Sequence, residues 1–223
     1  MMEKRVLYQD NDLLIVNKPA GTLDPSALLQ NDFPEIMKVG GQDHGACHRL
    51  DRATSGLLVF ARNEETYQKM REMFSKNKVK KEYLALVEGE IKKSGRINWP
   101  IGPNPKSSKR VKVYKNLAEA RRNKGQEAVT YYAPLKVRGA GVRMTWLRVT
   151  LKTGRRHQIR AHLAAIGHPI VGDLLYKGPP ANRLYLHACH LEFKQPGTGK
   201  TITVFLPFSE GQEKTPAPHG PGE

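Results

Sequence analysis

Apolar positions in this chain fall into short runs separated by clear punctuation. Gly56 to Ala61 is an unbroken apolar run, the pattern of a strand covered on both faces. Upstream, Val6-Leu7-Tyr8 and Leu13-Leu14-Ile15-Val16 flank Gln9-Asp10-Asn11-Asp12, which reads as strand, turn, strand. Asn17-Lys18-Pro19-Ala20-Gly21 then stops the second strand with proline and glycine. Residues 22–46 carry Pro25, Pro34 and Gly40-Gly41 and read as a loop with one helical turn.

Past the central run, Asn63 is placed as a helix N-cap, with Glu64 and Glu65 in the first turn where they suit the helix dipole. Tyr67, Met70 and Phe74 share one face of that helix and belong in the core. Glu82 to Glu88 reads as a strand ended by Gly89, and Val129 to Tyr132 as another. Thr145 to Lys152 alternates, with Leu147, Val149 and Leu151 opposite Trp146, Arg148 and Thr150, which predicts a half-buried strand. A turn at Thr153 to Arg156 leads into a helix over His157 to Ile166, with Ile159, Leu163 and Ile166 as its stripe and Gly167 as its stop. Leu184 to Phe193 and Thr201 to Leu206 complete the strands. From Ser209 the chain is rich in proline, glycine and charge, the composition of a disordered tail, so residues 1–208 are read as one domain. No internal repeat or linker is visible.

Charge adds a partner to this picture. Lys and Arg number 37 against 21 Asp and Glu, a net charge of +16 that points to a polyanion: RNA, DNA or an anionic membrane surface. A spanning helix is excluded, because the apolar runs fall far short of the roughly 20 residues it needs. No signal peptide is expected, since Met1 to Arg5 leads into a strand pattern. Two cysteines, Cys47 and Cys189, make no disulfide framework and suit a reducing cytoplasm. Residues 100–125 concentrate Lys106, Lys109, Arg110, Lys112, Lys115, Arg121, Arg122 and Lys124, which fits either a solvated face or an RNA-backbone contact.

Candidate chemistry gathers at two places. Arg49-Leu50-Asp51-Arg52 feeds the buried strand, setting a carboxylate between two arginines. Asp51 fits an ordinary turn residue, or a fixed ionised carboxylate able to act as nucleophile or electrostatic stabiliser. Arg155, Arg156 and Arg160 lie near the start of the later helix, where phosphate or carboxylate can be gripped. Asp173, after Gly172, reads as a turn residue. His157 with His162, Cys47-His48 and Cys189-His190 fit no closed zinc pattern, so no metal is expected. No nucleotide-binding glycine loop is present either.

His48-Arg49-Leu50-Asp51, continued by Thr54-Ser55-Gly56-Leu57-Leu58-Val59-Phe60-Ala61, closely resembles the catalytic motif of the RluA-type RNA pseudouridine synthases. Thr153-Gly154-Arg155-Arg156-His157-Gln158-Ile159-Arg160-Ala161-His162 resembles the C-terminal motif of that family, and Lys81 to Gly89 resembles a third. Asn17 to Gly21 and Leu186-His187-Ala188 are further matches, so the resemblance runs from residue 6 to about 206. Thr22-Leu23-Asp24-Pro25 departs from the family's usual continuation, which puts any inherited role for that loop in doubt.

The resemblance implies an α+β fold, a largely antiparallel mixed sheet with flanking helices and a basic catalytic cleft. It implies an RNA pseudouridine synthase that needs no cofactor. Asp51 would be the catalytic aspartate, and Arg160 would pair with it at a nitrogen–oxygen distance within about 4 Å. Tyr83 would stack on the uracil and assist proton transfer. The target uridine would be flipped out of folded RNA, with Arg49 filling the space it leaves. Arg52, Arg155, Arg156, Lys109, Arg110 and Lys112 are the further RNA-binding candidates. Expected partners are structured ribosomal or transfer RNA, with no membrane and no obligate protein partner, and the expected state is a cytoplasmic monomer. The small N-terminal RNA-binding domain of many relatives is not expected here. A hydrolytic base-removing enzyme and a non-catalytic RNA-binding protein are the rival classes; release of free uracil would mark the first.

Overall fold

The computed structural model describes residues 5–138 and 143–208, so the tail expected from Ser209 lies outside the described residues. The strands are β1 (Val6–Gln9), β2 (Leu13–Lys18), β3 (Ser55–Ala61), β4 (Lys80–Glu88), β5 (Gly95–Ile97), β6 (Ile101–Pro103), β7 (Val111–Val113), β8 (Thr130–Arg138), β9 (Met144–Leu151), β10 (Leu186–Lys194) and β11 (Thr201–Phe205). The helices are α1 (Glu64–Ser75), α2 (Leu117–Arg122) and α3 (Gln158–Ala165). Among the described residues, nine strands form one sheet in the order β1-β2-β3-β10-β4-β9-β8-β5, with β11 also paired to β10. Every pairing is antiparallel except β3 with β10. This is the α+β architecture expected from the sequence. Among the described residues no helix is long and apolar enough to cross a membrane.

The sheet forks at β10. Along one edge, its first residues meet β3 and its later ones meet β11, while its other edge is paired with β4. A core of Leu13, Ile15, Leu57, Val59, Tyr67 and Met70 fills the half built on β2, β3 and α1. A second core, including Ala85, Val87, Leu147, Val149, Ile159 and Leu163, fills the half built on β4, β9 and α3. β3 is buried along its whole length, as its unbroken apolar run predicts. Asn63 caps α1 by accepting the Thr66 N–H at 2.9 Å, and Tyr67 and Met70 face the core.

Two expectations change, and the basic segment acquires a fold. Residues 22–46 are not an open loop: they make three 3-10 turns, and Leu29 and Ile36 are fully buried against β2 and β3. Spaced prolines and glycines break α-helix but still let single apolar residues dock. β9 is not half-buried at Trp146, which packs with Leu84, Leu86, Val171, Cys189 and Phe208 on the opposite face. Residues 100–125 form a small unit of β6, β7 and α2, closed over a fully buried Tyr114.

Only two residue pairs, Ser55 with His187 and Gly56 with Ala188, join β3 to β10. Gly56 has φ +114°, and a Cβ there would lie 2.2 Å from the Ala188 carbonyl oxygen. Both the backbone angle and the close approach require glycine. Gly56→Ala is therefore expected to cost about 3 kcal/mol of stability, from overpacking plus backbone strain. A urea titration checks this, and a loss under about 1 kcal/mol would mean the seam yields.

Candidate active site

Asp51 stands in the turn that enters β3 at the meeting point of the two sheet halves, where the Thr54 N–H donates to its backbone carbonyl at 3.0 Å. Beneath it, Lys18 at the end of β2 is almost wholly buried, and its ammonium donates to the carbonyls of Pro19 (3.0 Å) and Arg52 (3.1 Å). Burial pulls the Lys18 pKa down to about 8, against the Asp51 charge, while Arg183 adds to the lowering. Arg52 and Gly21 bond reciprocally: Gly21 N–H to the Arg52 carbonyl at 2.8 Å, and Arg52 Nε to the Gly21 carbonyl at 3.0 Å. The turn carrying Asp51 is thus tied to the end of β2 by three hydrogen bonds, those of Lys18 and Gly21 to the Arg52 carbonyl and that of Arg52 to the Gly21 carbonyl.

From the other half comes α3, aimed by Gln158. Its buried amide donates to the Val129 carbonyl and to Thr130 Oγ1, each at 3.0 Å, and accepts from Thr153 Oγ1 and the Arg155 N–H. That anchorage directs Arg160 at Asp51, with Nη1 to Oδ2 at 3.1 Å, so the expected pair is present. The two-bond grip falls elsewhere. Arg160 Nε and Nη2 clamp Asp173 at 2.7 and 2.8 Å, and the guanidinium sits 5.3 Å over the Tyr176 ring. Burial disfavours the Arg160 charge, but the bonds and charges of Asp173, then those of Asp51, outweigh it and hold its pKa above its ordinary range.

Asp173 corrects a reading from sequence. It does cap a turn, accepting the Tyr176 N–H, but its side chain is only 1% exposed and carries the main counter-charge of Arg160. The Gly172-Asp173 pair hides this, because turn chemistry accounts for an aspartate there without any tertiary partner. Gln158 and Lys18 were likewise not singled out by their own chemistry; they sit inside matched motifs, which was the only available signal.

A cavity of about 390 Å³ opens on one side of Asp51, lined by Tyr83, Leu151, Ile159, Leu186, Lys81 and Arg49 among others. Tyr83 is buried on β4, and desolvation, then the charges of Asp51 and Cys189, push its phenol well above its ordinary pKa. It keeps its proton at neutral pH, which suits an apolar platform or a hydroxyl donor rather than a base. On the other side of Asp51, a larger cleft of about 850 Å³ is bordered by Leu23, Arg49, Arg52, Arg155 and Arg156. Asp51, Arg49, Arg155, His157 and Arg160 border both spaces.

Lys109, Arg110 and Lys112 border neither space. They join the site indirectly, through Arg156, which donates to the carbonyls of Ser108 (3.2 Å) and Lys109 (3.0 Å). Lys112 is already paired with Glu119 at 2.6 Å. Of the histidines considered for metal, His162 bonds Thr130 Oγ1 and the Trp99 carbonyl, His48 accepts the Val59 N–H, and the buried Nδ1 of His190 meets no hydrogen-bond partner among the described residues. Both cysteines are buried and unpaired with each other.

Comparison with known proteins matches this architecture. The RNA pseudouridylate synthase family model matches residues 12–165. The tRNA pseudouridine synthase C of Haemophilus ducreyi is 35% identical over 231 residues, covering 91% of this chain and 90% of that protein. The dual-specificity RNA pseudouridine synthase RluA of Haemophilus influenzae is 35% identical over 206 residues, covering 89% and 90%. Among solved structures, human RNA Pseudouridylate Synthase Domain Containing 1 superposes with a TM-score of 0.75 at 28% identity, over 91% of this chain and 82% of that one.

The clamp sets a stability prediction. Asp173→Asn leaves a buried guanidinium with Asp51 as its remaining charged partner in the clamp, and is expected to cost about 3 kcal/mol. Replacing both partners, Arg160→Met with Asp173→Leu, should recover most of that loss, since apolar pairs substitute well for buried ion pairs. Chemical denaturation of the three variants checks this; a stability change in Asp173→Asn within about 0.5 kcal/mol would demote the clamp to an incidental contact.

Proposed function

The chain belongs to the RluA-type family of RNA pseudouridine synthases, and from that premise we propose that Asp51 is its catalytic residue, acting on a uridine flipped out of folded ribosomal or transfer RNA. The observation that carries this reading is the position of Asp51. Its carboxylate borders a cavity of about 390 Å³, ample for a uracil ring, and is fixed by Arg160 on one of its two oxygens. The RNA substrates follow from the relatives, whose names specify transfer RNA and dual-specificity RNA modification.

The reaction is an isomerisation. The N1–C1′ bond breaks, the uracil turns in place, and a C5–C1′ bond forms; C5 gives up a proton and N1 gains one. No oxidant, reductant or co-substrate is needed. Asp51 supplies the carboxylate that assists departure of the base, at ribose or at uracil. Tyr83 forms the face on which the uracil stacks, worth roughly 1–3 kcal/mol per base. The detached ring must be held while it turns, and the apolar walls of Leu151, Ile159 and Leu186 serve that purpose. Arg49, exposed at the rim of both spaces, takes the place of the flipped base in the stack. Arg52, Arg155 and Arg156 hold the backbone on either side. The two buried, unlinked cysteines fit a reducing cytoplasm as the place of action.

Asp51→Asn preserves shape and removes the charge. Pseudouridine formation should fall by more than about a thousandfold, some 4 kcal/mol of transition-state stabilisation, with RNA affinity little changed. Pseudouridine-specific primer-extension mapping reads the outcome, and turnover above that level would remove Asp51 from the role. Free uracil released by the wild-type protein would favour hydrolysis instead.

A second measurement addresses the RNA path. Affinity should fall linearly with the logarithm of salt concentration. Replacing Lys109 and Arg110 together by Ala should lessen that slope by about 1–2, whereas Lys112→Ala should barely change it because Glu119 already neutralises Lys112. An unaltered slope in the double variant would route the RNA away from this hairpin.

A further inference from the structure

His157 stands where α3 begins, in the left-handed conformation with φ 51°. That region is uncommon for residues other than glycine, and a residue held there at a site invites a functional explanation. It occupies the N-cap position, yet its side chain makes no capping bond to the helix. The imidazole instead points across the site, with Nε2 3.9 Å from Asp51 Oδ1. This is the carboxylate oxygen that Arg160 leaves alone, since Arg160 bonds Oδ2.

The other ring nitrogen, Nδ1, lies 3.1 Å from the Tyr176 hydroxyl. The backbone N–H of Val111 donates to that same hydroxyl at 3.0 Å, and the two rings meet edge to face at 5.8 Å. A phenol has one proton to give. With Val111 on one of its lone pairs, the Tyr176 hydroxyl needs an acceptor, and His157 Nδ1 is the one it meets among the described residues. Tyr176 keeps its proton, because burial raises its pKa. If Nδ1 accepts, the proton of the neutral imidazole must sit on Nε2, facing Asp51.

We infer that His157 is a positioning residue for the free oxygen of Asp51, presenting an Nε2–H donor whose tautomer is fixed by the relay from Val111 through Tyr176. This rests on Asp51 being the catalytic residue. A swing of either side chain by about 1 Å closes the 3.9 Å gap to hydrogen-bonding distance. The carboxylate is then held from two sides, by a permanent charge on Oδ2 and by a neutral donor on Oδ1. A neutral donor orients an oxygen without neutralising it, so Oδ1 stays reactive. Burial favours the uncharged imidazole and lowers its pKa; the charges facing it are Asp51 and Asp173, which oppose the lowering, and Arg160 and Arg156, which add to it.

Two experiments on the full chain decide the matter. Nitrogen-15 NMR of the imidazoles at pH 8, with His157 assigned through its absence in His157→Gln, reads the tautomer directly. The expected result is a protonated Nε2 and an unprotonated, hydrogen-bonded Nδ1; a proton on Nδ1 overturns the inference whatever the activity. Kinetics on substrate RNA supplies the second reading. His157→Phe should lower kcat by about 10–100-fold, the usual effect of losing a donor that orients a reacting group, with KM little changed. His157→Gln, whose amide can place a donor near the Nε2 position, should recover most of that loss. Tyr176→Phe keeps the ring under Arg160 and removes only the hydroxyl. It should cost about threefold or more alone and nothing further in the His157→Phe background. Equal costs of Tyr176→Phe in both backgrounds, or near-normal kcat in a folded His157→Phe, would overturn the inference. Wild-type protein without pseudouridine formation, or an active Asp51→Asn, would instead sink the catalytic reading, and the tautomer would still be decided by NMR.

Discussion

Everything at this site depends on one buried guanidinium. Arg160 is charged, 9% exposed, and cannot give up its proton, so it needs full compensation inside the protein. It obtains this from two carboxylates that reach it from different parts of the chain: Asp173 from 13 residues away and Asp51 from 109. The planar fork gives its two shorter bonds to Asp173 and a third, longer one to Asp51. Lysine could not do this, since a single ammonium has no fixed geometry for two carboxylates at once. The division also matters for chemistry. A carboxylate gripped by two bonds is tied up as a structural counter-ion, whereas the single bond to Asp51 orients it and leaves its other oxygen unbonded by Arg160.

The guanidinium can bridge these segments only because the backbone around it is fixed by other buried polar groups. Gln158 binds the start of α3 to β8 and to the turn after β9 through four hydrogen bonds. Lys18 binds the Asp51 turn to the end of β2. Between them runs the short parallel junction at Gly56 and Ala188, the place where the two halves of the sheet touch. Each anchor is a desolvated polar side chain, a cost repaid only when its bonds are complete. The turn carrying Asp51 is therefore held by the same buried groups that hold its supports.

Much of this was legible in the sequence, and the failures have physical causes. Unbroken and alternating apolar runs located β3, β9 and α1, because burial imposes those periods. Asp51 and Arg160 were brought together by motif resemblance, and their contact is present at 3.1 Å. Spacing alone could not have paired residues 109 positions apart. Asp173 does cap the turn it was read as, but its ion pair with Arg160 was not foreseen, because a local explanation was available and sufficient. Trp146 was misread because alternation reports one face of a strand and is silent on what a neighbouring element lays over the other. Residues 22–46 were read as a loop because their breakers exclude α-helix, although Leu29 and Ile36 still find the core. His157 was weighed only as a metal candidate and passed over, since no pattern of residue types announces a left-handed backbone angle.

The distribution of positive charge bears on how RNA can be held. A net charge of +16 attracts any polyanion, but attraction does not orient. Around Asp51 the arginines are individually tethered: Arg52 to the Gly21 carbonyl, Arg155 to that of Glu127, and Arg156 to those of Ser108 and Lys109. Each is solvent-exposed yet has part of its fork committed to backbone. Arginine can do this and still present further N–H groups and its full charge outward. Side-chain freedom lost in those tethers is lost during folding, so less remains to be lost when a phosphate arrives. Lys112, held by Glu119, has its charge offset before any RNA is present. Under the proposed function, the bulk charge would set the strength and salt dependence of association, while the tethered arginines beside Asp51 would set the register in which a single uridine meets the carboxylate.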